Sequence, residues 1–174
     1  SKINSRNRGA IEGKGEWTVN GDPTEIALLI SAAKGGVTAG SLSDMRKIHE
    51  IPFDSETKMM TVITRSPSGQ ETAYIKGAAD ILLNKCAFVM TSNGEVSIDR
   101  SVTDKINAEI SSLSKRALRV LALAKKEVKA GESHSGGLVF LGLAAMQDPP
   151  REEAKAAIKK CSAAHIKTVM ITGD

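Results

Sequence analysis

At 174 residues, 41% of them hydrophobic, the chain is long enough for one large domain, or one domain with an appendage, around a core. A net charge of +4 is a modest excess over 20 acidic residues, which favours an anionic ligand without requiring nucleic acid, and 3% aromatics are too few for the stacking platforms of single-strand binders. No apolar run approaches the roughly 20 residues that cross a bilayer, and the opening Ser1 to Arg8 has basic residues but no apolar stretch behind it to make a leader.

Residues 1–16 are polar and glycine-rich and read as a loop. Asp22 then reads as an N-cap, with Pro23 at the first helical position and Glu25 at the third, a capping-box arrangement. Ile26, Leu29, Ile30 and Ala33 make one apolar face before Gly35 and Gly36 stop the helix. A cap alone would be a sufficient role for Glu25. A second short helix over 42–47 precedes a strand ending at Ile51. Residues 58–65 are rich in β-branched and apolar types, Ser66-Pro67-Ser68-Gly69 is a turn signal, and residues 71–76 read as the returning strand. A helix over 78–85 carries Ile81, Leu82 and Leu83. Residues 87–91 and 95–98 form a second hairpin turning at Asn93-Gly94, the dipeptide favoured in type I′ turns.

Val102, Ile106, Ile110 and Leu113 share one face of the next helix, and strands follow over 118–126 and 138–145. Hairpins dominate, so the expected fold is α+β, an antiparallel sheet flanked by helices. From Met146 onward the character changes to an α/β half-unit. Ala154, Ala157, Ile158 and Cys161 recur at helical spacing, and residues 167–171 form a short apolar strand ending in Thr172-Gly173-Asp174, where parallel sheets place their chemistry. Cys86 and Cys161 lie in apolar contexts without a CxxC spacing and read as free thiols of a reducing cytosol. The three histidines form no metal-ligand pattern, so no metal site is expected.

The hairpin is the informative element. Antiparallel closure sets Lys58 across from roughly Lys76 and Gly77. Just upstream stands Phe53, one of three phenylalanines, and just downstream a helix N-terminus with unpaired N–H groups. Lysines at strand ends are usually solvated and an aromatic after a proline is usually core. One nucleotide site explains all of these residues together, whereas the bland reading needs a separate reason for each.

Six segments, in one order over nearly the whole chain, carry a family resemblance. Phe53-Asp54-Ser55-Glu56-Thr57-Lys58-Met59-Met60 resembles the adenine-binding motif of P-type cation-transporting ATPases, and Lys76-Gly77-Ala78-Ala79-Asp80 resembles their KGAP(E/D) motif. Gly21-Asp22-Pro23-Thr24-Glu25 is similar to their GDPTE, and residues 118–124 to their L-R-x-L-A-x-A strand. Asp148-Pro149-Pro150-Arg151 is similar to their DPPR hinge, and Met170-Ile171-Thr172-Gly173-Asp174 to their M-(I/L)-T-G-D strand end.

The resemblance implies the nucleotide-binding domain of a type II pump, most like bacterial or archaeal calcium-type pumps. Residues 1–146 would be that domain, starting past its first strand and helix. Residues 147–174 would be a segment of the haloacid-dehalogenase-like phosphorylation domain. The same resemblance implies that ATP or ADP is bound by Glu25, Phe53, Lys58, Met60, Lys76, Gly77 and Arg119. Adenine would stack on Phe53, Glu25 would lie near its amino group, Lys58 and Lys76 would flank ring and phosphates, and Arg119 would reach the phosphates as a planar donor rather than sit as a solvated rim arginine. Thr172, Gly173 and Asp174 would belong to the phosphorylation-site region.

The family's phosphorylated D-K-T-G-T and its later G-D-G-x-N-D do not occur in these residues. The chain is therefore expected to hold no catalytic residue and to be inactive alone, with Mg2+ needed in the full pump. Its implied partners are the remaining phosphorylation, actuator and transmembrane domains of a membrane pump whose cytoplasmic part this is, without nucleic acid and without membrane insertion of its own. Ala79 departs from the family's proline, which loosens helix entry after Gly77. The alternative function is a non-enzymatic basic module binding RNA or an acidic partner through Lys125-Lys126 and Lys159-Lys160. A self-contained phosphatase would need a nucleophilic aspartate motif that these residues lack.

Overall fold

Runs of two or three strands are separated by single helices in a computed structural model that describes residues 2–4, 18–20, 22–38, 40–128, 136–147 and 152–169. In order they are β1 (Lys2–Asn4), β2 (Thr18–Asn20), α1 (Pro23–Lys34), β3 (Arg46–Asp54), β4 (Met59–Arg65), β5 (Glu71–Ala78), α2 (Ala79–Leu83), β6 (Cys86–Thr91), β7 (Gly94–Ser97), α3 (Arg100–Lys115), β8 (Arg119–Val128), β9 (Leu138–Met146) and α4 (Glu152–Ala163). Seven strands form one sheet in the order β3-β4-β5-β8-β9-β6-β7, and β1 pairs with β2 in a separate two-stranded ribbon. The α+β class is as expected, with two corrections at the level of pairing. Residues 2–4 are a strand rather than loop, because antiparallel pairing with 18–20 satisfies their backbone. One pair within the large sheet, β6 with β9, is parallel. The long connection between them, which contains α3 and β8, brings the chain back in the same direction, as parallel neighbours require.

Period-2 alternation decides which face of the central strands is buried. Thr61 and Ile63 on β4, and Ala73, Ile75 and Gly77 on β5, are buried on one face. There they join Ala79, Leu82 and Leu83 of α2, Ala122 and Ala124 of β8 and Phe140 of β9, with Ile106 and Ile110 of α3 packed against them. The spacing that predicted an apolar face on α3 therefore finds its core. α1 lies against the other face, where Ala27, Leu28 and Ala32 border a cavity with Leu123 and Ala144.

Four local expectations depart from the structure, the last over its described residues only. No helix forms over 42–47: a single 3₁₀ turn covers Gly40–Leu42, and β3 begins at Arg46 because β4 offers it a ladder from Arg46↔Arg65 to Asp54↔Met59. That strand runs past Ile51, and Pro52 and Phe53 occupy the irregularity between the Ile51 and Asp54 pairs, where an edge strand tolerates a proline. The second hairpin does not turn on Asn93-Gly94 as a type I′ pair. Thr91 pairs with Gly94, so Ser92 and Asn93 form the loop, and Asn93 is not among the non-glycine residues with positive φ. Gly94 alone takes φ +105°, as in a type I turn closed by a glycine bulge. Finally, residues 166–169 form no strand, and 170–171 lie outside the described residues.

Candidate functional site

The site is built where α1 meets the sheet. Asp22 is extended (ψ 131°), and its carboxylate accepts hydrogen bonds from the backbone N–H of Thr24 at 2.9 Å and of Glu25 at 3.2 Å, with Pro23 at the first helical position. These N–H groups, that of Glu25 foremost and with the charge of Arg119 assisting, hold the Asp22 carboxyl below the usual carboxylate range. The second half of the expected capping box does not form. Glu25 instead forms an ion pair through its Oε1 with Lys76 Nζ of β5, 51 residues away. Beside it, Arg119 Nη1 of β8 donates to Thr24 Oγ1 at 2.9 Å. The first turn of α1 is thus tied to two adjacent strands by two cations.

Lys76 lies on the face of β5 opposite the buried Ile75 and Gly77, facing Met60 on β4 and Leu123 on β8. Its side chain is 21% exposed and that of Glu25 35%, so each charge leans on the other for solvation that water only partly supplies. Arg119 also borders a cavity of about 310 Å3 with Pro23, Thr24, Ala27, Ala117, Met146 and Gln147, within the size range of small-molecule pockets.

Lys58 lies one step further along than expected. Met60 pairs with Lys76 and Met59 with Gly77, and the Lys58 carbonyl accepts from Ala78 N–H at 3.0 Å. Lys58 holds a left-handed φ of +56°, which costs a non-glycine residue roughly 1–2 kcal/mol. Asp54 organises this turn: its carbonyl accepts from Lys58 N–H at 2.7 Å and its Oδ1 from Glu56 N–H at 2.9 Å. Phe53, adjacent to Asp54, is 62% exposed, so it is not the core aromatic that its proline neighbour suggests.

Of the residues singled out in the sequence, Glu25, Met60, Lys76 and Arg119 are gathered on one face, while Phe53 and Lys58 stand at the open end of the hairpin without a side-chain hydrogen bond or ion pair among the described residues. Gly77 is buried on the opposite face of β5. Asp148, Pro149, Pro150, Arg151, Thr172, Gly173 and Asp174 lie outside the described residues. Thr24 went unnoticed in the sequence: it sits inside the Gly-Asp-Pro-Thr-Glu segment, but only the fold shows that its hydroxyl receives Arg119.

Other candidate groups are occupied or inert. Lys125 pairs with Glu95 at 3.0 Å, and Lys126 Nζ donates to the Gly136 carbonyl at 3.0 Å, so this basic pair is engaged within the fold. Burial pushes the Cys86 thiol up to about 11, leaving it protonated and unreactive at neutral pH. Among the described residues no group of three or more His, Cys, Asp or Glu could hold a metal ion, and no helix is long and apolar enough to cross a membrane.

The sequence pattern of the family described as P-type ATPase, cytoplasmic domain N, matches residues 2–153. The calcium-transporting ATPase of Bacillus subtilis is 41% identical over 166 residues, covering 92% of this chain and 19% of that protein. The cation-transporting ATPase pma1 of Synechocystis is 42% identical, covering 97% of this chain and 19% of its own length. Calcium-transporting ATPase 1 of Lactococcus lactis is 38% identical, with 91% and 19% covered. The chain thus spans about a fifth of the length of the curated relatives it matches. A sheet clamped to the first turn of α1 at the Gly-Asp-Pro-Thr-Glu segment, together with a family match over nearly all its residues, identifies the chain as belonging to the P-type ATPases, as their cytoplasmic N domain.

Proposed function

We propose that this domain binds ATP and presents its γ-phosphate to an aspartate in another domain of the same pump, so that cycles of phosphorylation drive cation transport, with calcium as the cargo. One observation carries the reading: two cations from adjacent strands, Lys76 and Arg119, converge on the first turn of α1 beside a cavity, and an exposed aromatic, Phe53, stands on the edge strand of the same sheet, two strands from Lys76. Adenine would stack on Phe53, Lys58 and Lys76 would flank the ring and inner phosphates with Met60 beside them, Glu25 would accept from the adenine amino group, and Arg119 would take the outer phosphates. Phosphoryl transfer asks mainly for alignment and charge compensation, so a domain that only grips and positions supplies a large part of what the reaction needs.

Mg2+ fits this chain only through the nucleotide. The described residues offer no carboxylate cage, and a hard, strongly hydrated cation coordinated by phosphates needs none from this domain. Residues 1–146 act as the nucleotide-binding unit, and 147–174, with Asp148 to Arg151 as hinge and Thr172 to Asp174 beside the phosphorylation site, belong to the next domain. A backbone NMR titration tests the reading: at millimolar ATP or ADP, shifts should cluster at 53–58 and 76–80, while the chain neither hydrolyses ATP nor becomes phosphorylated. Shifts absent from those residues would remove the site from this place.

A further inference from the structure

Gly77 faces the core, away from the Lys76 ammonium, so it is poorly placed to touch a ligand held by that ammonium. The reason for a glycine there lies elsewhere. A Cβ built on Gly77 would stand 2.6 Å from the carbonyl oxygen of Lys58, 2.8 Å from Met59 Cγ and 3.2 Å from Met59 Cα. The first of these is a backbone atom that no rotamer change can move. Gly77 itself has no positive φ, so conformational freedom is not what position 77 demands; close approach is.

The turn that approaches it is the one that carries Lys58. Asp54 closes this turn by accepting from Lys58 N–H, Lys58 takes its left-handed conformation, and its carbonyl then lies against Gly77 and accepts from Ala78 N–H. Three constraints from two strands therefore meet at one residue whose side chain is free of partners among the described residues. A left-handed backbone also sets a direction for the Cα–Cβ bond that neither a strand nor a helix would give.

From this geometry we infer that Gly77 is a positioning residue: it seats the Lys58 carbonyl, and thereby fixes where the Lys58 ammonium emerges toward the nucleotide, without contacting the nucleotide itself. The inference rests on the nucleotide reading above. Any side chain at position 77 displaces the turn, and the ammonium moves with it. The effect reaches ligand binding only through Lys58.

A double-mutant cycle isolates that route. ATP affinity is measured calorimetrically for the wild-type chain, Gly77→Ala, Lys58→Met and the double variant, and the exchange of Ala78 N–H is followed by NMR without nucleotide. Gly77→Ala should weaken ATP binding and expose Ala78 N–H to exchange. In the Lys58→Met background it should cost no further affinity, beyond about twofold, a change under ~0.5 kcal/mol. If Gly77→Ala fails to fold, adding Met59→Ala removes the side-chain obstacle and leaves the backbone ones, the Lys58 carbonyl foremost and Met59 Cα behind it, so folding should return without ATP affinity. Losses that multiply in the cycle, or affinity that returns together with folding, would overturn the inference while leaving the nucleotide site standing. A folded wild-type chain that binds no ATP would overturn both.

Discussion

Two short runs in this chain have nearly the same composition and opposite fates. Met59 to Arg65 becomes β4, paired on both sides, with Thr61 and Ile63 buried. Residues 166–169, the start of an equally β-branched run, carry no strand, and Val169 is 71% exposed. Intrinsic strand propensity spans only ~1 kcal/mol between residue types and follows packing context, so it cannot separate them. What separates them is a partner. β4 meets β5 across a turn closed by Ser66 N–H donating to Gln70 O at 2.9 Å, and this local ladder creates a face for α2 and α3 to cover. The tail follows α4, whose Ile158 is itself 52% exposed, and no strand of the described sheet receives it.

The contrast is broken most forcefully beneath the hairpin. Leu82 is fully buried under it, and Leu82→Ala should cost roughly 2–5 kcal/mol in urea unfolding. A cost near that of a surface substitution would mean that the hairpin does not depend on its cover. Next in size, Phe53→Ala should leave the unfolding midpoint nearly unchanged but weaken ATP, ADP and AMP alike by roughly 1–3 kcal/mol, the worth of base stacking. Arg119→Ala should penalise ATP and ADP more than AMP, and equal losses across the three nucleotides would take Arg119 off the phosphates.

A smaller effect is confined to the first turn of α1. The N–H of Glu25 lowers the Asp22 carboxyl from its ordinary 3.8, so its contribution to stability is present above that value and lost as pH falls through the folded-state pKa. Protection of the Thr24 and Glu25 amides, their exchange relative to an unstructured amide at the same pH, should fall on acidification below about pH 4, and Asp22→Asn should remove that dependence. Truncation after Met146 should leave ATP affinity within about threefold, under ~1 kcal/mol, and a larger loss in a folded truncate would mean the tail helps to build the site. Smallest of all, Val169→Asp should change stability by less than about 0.5 kcal/mol, as at any exposed position without a ladder.

What the sequence determined by itself is what short-range chemistry controls. Asp22 before Pro23 starts α1, the glycines after Lys34 end it, Ser66 to Gly69 turn the central hairpin, and the spacing of Val102, Ile106, Ile110 and Leu113 marks the inner face of α3. Each of these depends on groups a few residues apart, so a local reading suffices. Tertiary structure alone decided that Glu25 turns from its own helix end to Lys76, that Thr24 receives Arg119, that β3 extends through Phe53, and that β9 runs parallel to β6. A carboxylate at the third helical position can serve a cap or a distant ammonium equally well; which one it meets depends on where β5 lies. Position 77 follows the same logic, since the Lys58 carbonyl that forbids a side chain there arrives from the neighbouring strand, and only the register of β4 against β5 brings it within 2.6 Å of where a Cβ would stand.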